Sequence, residues 1–451
     1  MSLTLALVHL FLNTAQAAPL SPLTLRKVNN SLNPTGDTIC PDQQRSLWDI
    51  LLSCSATIFA CTWVSVHPNV PAPEDTEWKI VRRRIALMFV ALVAPELVIL
   101  WAMREWNAAR IMMKRFKFEG WTKTHAYFIH MGGFMWYNQH RRRPWEVLHF
   151  DDLERYIEEG KIKLPTISEK DIQDRSKSDT LTKAIALGQT TWFFIQTIAR
   201  HAQGLAVTEL ELVTAALAVL NAIIYFLWWN KPLDVRHANR VQLQFSLEGE
   251  ESRPGQEPTL ISSFPYLLLA SISLNFDVQM DKTPHGKSET PPLSGGFLRE
   301  CGKLFFPIEV SGANTRVPSF WVADNEMRDF AIAQILISSL IAIGFGGIHC
   351  LGWAFTFPSY PELLLWRVCS CVIAATPAVM ALCSMLLFLH SQNRIRLRES
   401  LEISVSTIIP ILLLTYFAGR IILLIEALVA LRNLRESAFR VVRWTTFIPH
   451  V

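Results

Sequence analysis

The feature that most limits what this chain can fold into is a series of apolar runs, each close to the length a helix needs to cross a bilayer. A helix rising about 1.5 Å per residue covers the hydrocarbon core with roughly 20 apolar residues. Ser46–His67, Ile85–Met103, Trp121–Asn138, Leu181–Arg200, Glu209–Trp229, Phe330–Leu351, Leu363–His390 and Ser404–Leu431 are runs of this kind. Trp121–Asn138 is marginal, being aromatic but carrying His125 and His130. Composition agrees: 50% of the 451 residues are hydrophobic and 18% are charged, against about 25% charged in soluble domains. The formal charge of +4 is mild, and no basic stripe is interleaved with aromatics. Nucleic acid is therefore not an expected partner; membrane lipid is.

Residues 1–17 read as a cleaved signal peptide, a short apolar stretch ending in Ala15-Gln16-Ala17. They lack a basic leader, which leaves an uncleaved signal anchor as the alternative. Asn29-Asn30-Ser31 is a glycosylation sequon at Asn29. The expected fold class is all-α: a polytopic transmembrane helix bundle of seven or eight spans after signal removal. The expected organisation is a luminal segment (18–45), three spans (46–138), a small cytosolic amphipathic helical insertion (139–180), a transmembrane hairpin (181–229), a long irregular loop (230–329), three C-terminal spans (330–431) and a basic tail (432–451). The expected location is an integral membrane protein of the secretory pathway, in the endoplasmic reticulum or later. Within the insertion, Ser168 with Asp171 marks a capped helix start.

Basic residues near spans face the cytosol, so Arg82, Arg83 and Arg84 lie inside if the N-terminus is luminal. If Trp121–Asn138 crosses, there are eight spans, and Lys114, Arg115, Lys117 and the tail arginines fall outside against the rule. If it lies on the surface, there are seven, and the tail moves inside.

Ionisable groups at bilayer depth cost several kcal/mol by most estimates and need a partner or a role. Asp49 lies one turn into the first span, where water can reach it. Glu96 lies directly after Pro95 in VALVAPELVILW, in mid-span; it is either hydrogen-bonded to another helix or the candidate catalytic acid. Glu209 and Glu211 follow Thr208, a natural helix cap, and acids favour that positive end. Arg367 and Arg420 sit too awkwardly spaced from Glu362 and Glu426 for pairing along one helix, so their partners are expected on other helices.

Tryptophans cluster at span ends, notably Trp192, Trp228 and Trp229. They form either an interfacial belt or a π-lined substrate-binding pocket that steadies a cation. Asp151-Asp152-Leu153-Glu154 lacks the acid an aspartate-rich magnesium motif requires, since Arg155 stands there; a solvated helix start is the reading. Gly344-Phe345-Gly346-Gly347 lies in an apolar run and marks helix packing. Eight cysteines show no zinc spacing, no metal site is expected, and no cofactor can be named. Cys40 and Cys301 lie outside the apolar runs and could pair only if both face the lumen.

The run TLTKAIALGQTTWFFIQTIARHAQGLAVTELELVTAALAVLNAIIYFLWWNKPLDV (180–234), with SEKDIQDRSKSD, WTKTHAYFIHMGGF and CTWVSVHPNVP, resembles a large fungal family of multi-pass membrane proteins, most without assigned activity. That family is similar to the integral-membrane terpene cyclases of fungal meroterpenoid pathways. The resemblance implies cyclisation started by protonating an olefin and a hydrophobic prenylated substrate; it assigns no catalytic positions. Such chemistry needs a dry acid and aromatic faces toward the cation, for which Glu96 and the tryptophans are the candidates. A non-enzymatic transport, receptor or scaffold protein is the alternative.

Overall fold

The computed structural model describes residues 44–117, 120–137, 145–176, 179–241, 315–317, 319–320, 331–391, 394, 396 and 399–444. The signal peptide, Asn29, Cys40, Cys301 and most of the 230–329 loop lie outside the described residues.

Helices dominate: α1 (Leu47–Phe59, extended by a π turn over Ala60–Val64), α2 (Glu77–Val93), α3 (Pro95–Arg115), α4 (Lys123–His130), α5 (Phe150–Glu158), α6 (Glu169–Asp174), α7 (Asp179–Ala202), α8 (Glu209–Leu227), α9 (Ala331–Cys350), α10 (Tyr360–Ser391) and α11 (Glu399–Val429). The chain is not purely α. Three short strands, β1 (Phe134–Tyr137), β2 (Trp145–Val147) and β3 (Asn239–Val241), form one sheet in the order β2-β1-β3. β1 pairs antiparallel with β2 and parallel with β3.

Local chemistry sets the helix starts. Ser46 and Asp49 form a capping box on α1, Ser168 and Asp171 on α6, and Thr208 and Glu211 on α8. Gly204, at φ +66, makes the turn between α7 and α8. α10 and α11 stay helical through Pro377 and Pro410.

Among the described residues, five helical segments are long and apolar enough to cross a membrane: Leu47–Val64, Glu209–Leu227, Ala333–Ala354, Tyr360–His390 and Thr407–Asn433. The bent pair α2–α3 makes six if counted as one. Three expected spans come out differently. Leu181–Arg200 is helical, as α7, but is not among these apolar segments. Ile85–Met103 is not one helix, because α2 and α3 meet at an angle of 110°. Trp121–Asn138 does not cross: α4 has only 8 residues and gives way at Gly132, φ +84, to strand β1. Its apolar side chains serve a protein core instead. Phe128, Met131 and Phe134 are fully buried, and α5 and α6 pack on the same unit through Leu153 and a bond from Thr124 Oγ1 to Glu169 (2.6 Å).

Long-range bonds sort the helix ends into two groups. At one end, Gln44 bridges Arg440, Arg45 N–H donates to Phe439 (2.7 Å), and Arg200 donates to the Arg440 carbonyl (2.7 Å). Arg435 Nε reaches Thr356 Oγ1 (2.7 Å) at this same end. The start of α1, the α7–α8 turn, the α9–α10 connection and the C-terminal tail therefore lie together. At the other end, Arg84 holds Asp234 and the Trp63 carbonyl, Arg236 holds Glu77 (3.0 Å), Lys183 reaches the Trp229 carbonyl (3.3 Å), and Arg115 holds Glu154 (2.5 Å). Both the start of α2 and the end of α3 are at this second end. The two outer ends of the bent pair therefore lie on the same side of the helices.

Outward faces of α9, α10 and α11 carry exposed apolar side chains such as Leu340, Leu382, Ile411 and Ile425. Exposed Trp48, Trp353 and Tyr360 mark the first end, and Trp78 and Trp229 the second.

Candidate functional site

The site begins with a missing donor. In a continuous helix, residues 96 and 97 would donate to the carbonyls of Leu92 and Val93, and residue 95 to that of Ala91. Pro95 has no N–H. The chain breaks at Ala94 (φ −142, ψ 64), and Leu97 N–H turns to the Ala94 carbonyl at 3.1 Å. The carbonyls of Leu92 and Val93 are left without intrahelical partners. Arg420 of α11 takes both: Nη2 donates to Leu92 (3.1 Å) and Nε to Val93 (3.3 Å). Its Nη1 lies 3.1 Å from His349 Nε2, and the guanidinium sits 4.3 Å from the Phe345 ring centre. Arg420 is fully buried, so each of these partners replaces water.

The break leaves Glu96 at the second position of α3, where the helix N-terminus favours a carboxylate. Glu96 is 8% exposed. It lines a mostly apolar cavity of about 60 Å³ with Leu100, Ala342, Pro377, Met380 and Tyr416. That volume holds a few water-sized groups. Ile335, Ser339, Ala381 and Leu413 also line it and are half-exposed, so the cavity opens on the flank of the bundle. Arg420 and Tyr416 are the polar groups within interaction range of the carboxyl. The Tyr416 hydroxyl lies within hydrogen-bonding range of the carboxyl, so an acid and a phenol face each other in the pocket. Among the described residues, no Lys or Arg lines it.

Glu96 is thus brought to a pocket, but the tryptophans expected beside it are not. Trp192 stacks on Trp444 (5.0 Å between ring centres), and Trp229 is 60% exposed. Trp228 is fully buried in a second polar cluster, where its Nε1 donates to Glu105 Oε2 (2.7 Å). Residues near the end of a run share sequence neighbourhood, but helical phase sends them to different faces. The pocket's aromatic rings are Tyr416 and Phe417.

The second cluster ties the segment after α8 to α3. Lys231 Nζ contacts both carboxylate oxygens of Glu105 (2.7 and 2.9 Å) and Asn69 Oδ1 (3.2 Å), and lies 4.7 Å from the ring centres of both Trp101 and Trp228. Burial pulls the Lys231 ammonium below its ordinary value, while the Glu105 carboxylate opposes that shift. His67, tilted against Trp228 at 5.5 Å between ring centres, is held well below 6.5 by burial and by the charges of Lys183, Lys231 and Arg84.

Arg367, Glu362 and Glu211 have structural partners. Arg367 donates to the Trp353 carbonyl (2.9 Å), Glu362 pairs with Arg432, and Glu211 pairs with Arg45. Asp152 and Glu154 hold Arg155 and Arg115 on the surface of α5. Sequence reasoning missed Tyr416, Lys231 and Glu105. Tyr416 stands four residues before Arg420, on the same helix face, which is the one signal that pointed to it.

The chain is mostly helical, with five segments among the described residues long and apolar enough to cross a membrane, six if the bent pair counts as one, and an acid-lined pocket at a helix break. Residues 23–247 and 329–451 match a family described as "Family of unknown function (DUF8562)"; the match covers more than half of the chain, which belongs to that family. No curated protein and no solved structure matches the chain.

Proposed function

We propose that the chain is a multi-pass membrane protein that receives a lipid-soluble small molecule in the pocket at Glu96. The observation that carries this reading is the buried Glu96 carboxyl, with the Tyr416 phenol beside it, in an otherwise apolar cavity open on the flank of the bundle.

The arrangement of helix ends supports six crossings, by α1, α7, α8, α9, α10 and α11, with α2–α3 as a re-entrant pair whose tip carries Glu96. α7 is more polar than the other five, but Arg200 and Lys183 tie its two ends to opposite ends of α8. Exposed aromatics at both ends fit interfacial belts. The second end collects Arg82–Arg84, Lys114, Arg115, Lys117 and Arg236, so it faces the cytosol. Both termini then face the lumen, in line with a secretory-pathway location and a glycosylated Asn29. The re-entrant pair removes the conflict that a through-span leaves at Lys114–Lys117.

A second reading, cyclisation by olefin protonation, uses the same carboxyl. A neutral Glu96 would pass its proton to an alkene carbon, leaving a carboxylate and a carbocation. Loss of a proton from the cyclised cation would restore the acid. A buried carboxyl in a mostly apolar pocket supports this chemistry.

Ala342 lines the pocket and is buried, so Ala342→Phe fills it. Organic extraction of purified full-length protein should release a hydrophobic molecule that the filled variant lacks. Equal release from both contradicts the ligand reading. Feeding prenylated phenols to a host expressing the chain, with product analysis, separates the two readings: cyclised product lost in Glu96→Gln supports catalysis, and binding without turnover supports the first.

A further inference from the structure

We propose that Cys350 and Cys371 are a modification site, a dithiol that luminal oxidation closes into a disulfide joining α9 to α10. The pocket at Glu96 plays no part in this inference. Its compartment rests on the topology proposed above, which sets this end of the helices in the lumen.

Helix register brings the two residues together. α9 and α10 touch at Gly346, where an added Cβ would lie 2.5 Å from Ala374 Cα. Further along the chain, the Trp353 carbonyl accepts from Arg367 Nη2 (2.9 Å). Each step forward from Gly346 to Trp353 is thus matched by a step back from Ala374 to Arg367, so the helices run antiparallel. Midway between the two contacts, Cys350 faces residues 370 and 371. Ser370 is buried and Cys371 is exposed. The Cys350 and Cys371 thiols lie within hydrogen-bonding range of each other. A disulfide needs Cα atoms about 4.4–6.8 Å apart, and the close backbone approach at Gly346, one turn away, meets that demand.

The pair is also placed for oxidation. Cys350 is half-buried and Cys371 exposed, whereas Cys54, Cys61, Cys369 and Cys383 are buried. Cys350 is the last residue of α9, one turn before the exposed Trp353 that marks this end of the bundle. Disulfides form and persist in the oxidising lumen of the secretory pathway. One cysteine thiolate attacks a small disulfide such as oxidised glutathione, expelling one glutathione thiolate and leaving a mixed disulfide. The second cysteine thiolate attacks the protein sulfur of that mixed disulfide and expels the other glutathione thiolate. Two electrons pass from the cysteine pair to glutathione disulfide, and the two cysteine protons end on the two glutathione thiols. The bond closes the connection between α9 and α10 into a ring.

The test isolates full-length protein from acid-quenched microsomes, alkylates free thiols and digests without reductant. Mass spectrometry should find a peptide pair linked through Cys350 and Cys371, and dithiothreitol should release it. Cys371→Ala should abolish the link, and Cys369→Ala, which removes the neighbouring buried thiol, should keep it. Protein purified in detergent and reduced should form the same link again in oxidised glutathione. If the link is missing from microsomes and oxidised glutathione does not form it, the pairing is overturned. If oxidised glutathione forms it but microsomes lack it, this end does not meet the oxidising lumen, and the proposal fails on its compartment. A link that survives in Cys371→Ala and is lost in Cys369→Ala overturns the choice of partner. None of these results bears on the pocket, so failure here is distinct from failure of the ligand reading.

Discussion

Arg420 Nε donates to the carbonyl of Val93 at 3.3 Å, across 327 residues of chain. One guanidinium thereby caps the helix that Pro95 severs. Its planar fork reaches two carbonyls and an imidazole together, which a lysine ammonium cannot do from one point. Arg420→Lys should destabilise the protein nearly as much as Arg420→Ala, each by roughly 3–5 kcal/mol, since both leave buried partners uncompensated. Thermal unfolding in detergent reads this directly; an Arg420→Lys variant as stable as wild type would contradict the capping role.

Gly346 lets α9 and α10 touch. A Cβ there would lie 2.5 Å from Ala374 Cα and 2.6 Å from its nitrogen, whereas one at Gly344 or Gly347 meets nothing within 4 Å. Gly346→Ala should cost about 1–3 kcal/mol through forced helix separation. Gly344→Ala and Gly347→Ala should be neutral or slightly stabilising. Equal effects at all three positions would mean the helices do not approach at Gly346.

Lys231 and Glu105 are 1% and 0% exposed in their side chains. Removing either partner, as in Lys231→Met or Glu105→Leu, should cost roughly 3–5 kcal/mol, because the remaining charge stays buried. The double variant should recover a large part of that loss. A double-mutant cycle with no coupling would dissolve the pair.

These contacts show what the sequence made legible and what it did not. Caps at Ser168 and Thr208 and glycine-mediated packing at Gly346 depend on neighbours within a few residues, so local reading reached them. The apolar runs that became α1, α8, α9, α10 and α11 were equally plain. Pro95 was ambiguous, since a proline in mid-span and a proline opening a new helix look alike in one dimension. The outcome was set by Arg420, far away in the chain. Trp121–Asn138 misled because an apolar stretch does not say whether lipid or protein will cover it. The grouping of Glu96 with Tyr416, and of Trp228 with Lys231, depended on helix phase and tertiary placement.

His67 is fully buried and its imidazole stays neutral well below 6.5, whereas the unfolded chain takes up a proton there. Its contribution is present above pH 6.5 and is lost as pH falls, by about 1.4 kcal/mol per pH unit. Melting temperature should drop between pH 6.5 and lower values, and His67→Gln should flatten that slope. An unchanged slope in His67→Gln would assign the acid sensitivity to other groups.

The most direct test concerns the re-entrant pair that carries Glu96. Pro73 precedes α2, Lys117 follows α3, and both are exposed. Pro73→Cys and Lys117→Cys, expressed separately in sealed microsomes, can be treated with a membrane-impermeant maleimide, with wild-type labelling as background. We expect both cysteines to react from the cytosolic side without detergent. If one reacts only after the membrane is opened, α2–α3 passes through the bilayer, and the placement of Glu96 at the tip of a re-entrant pair is wrong.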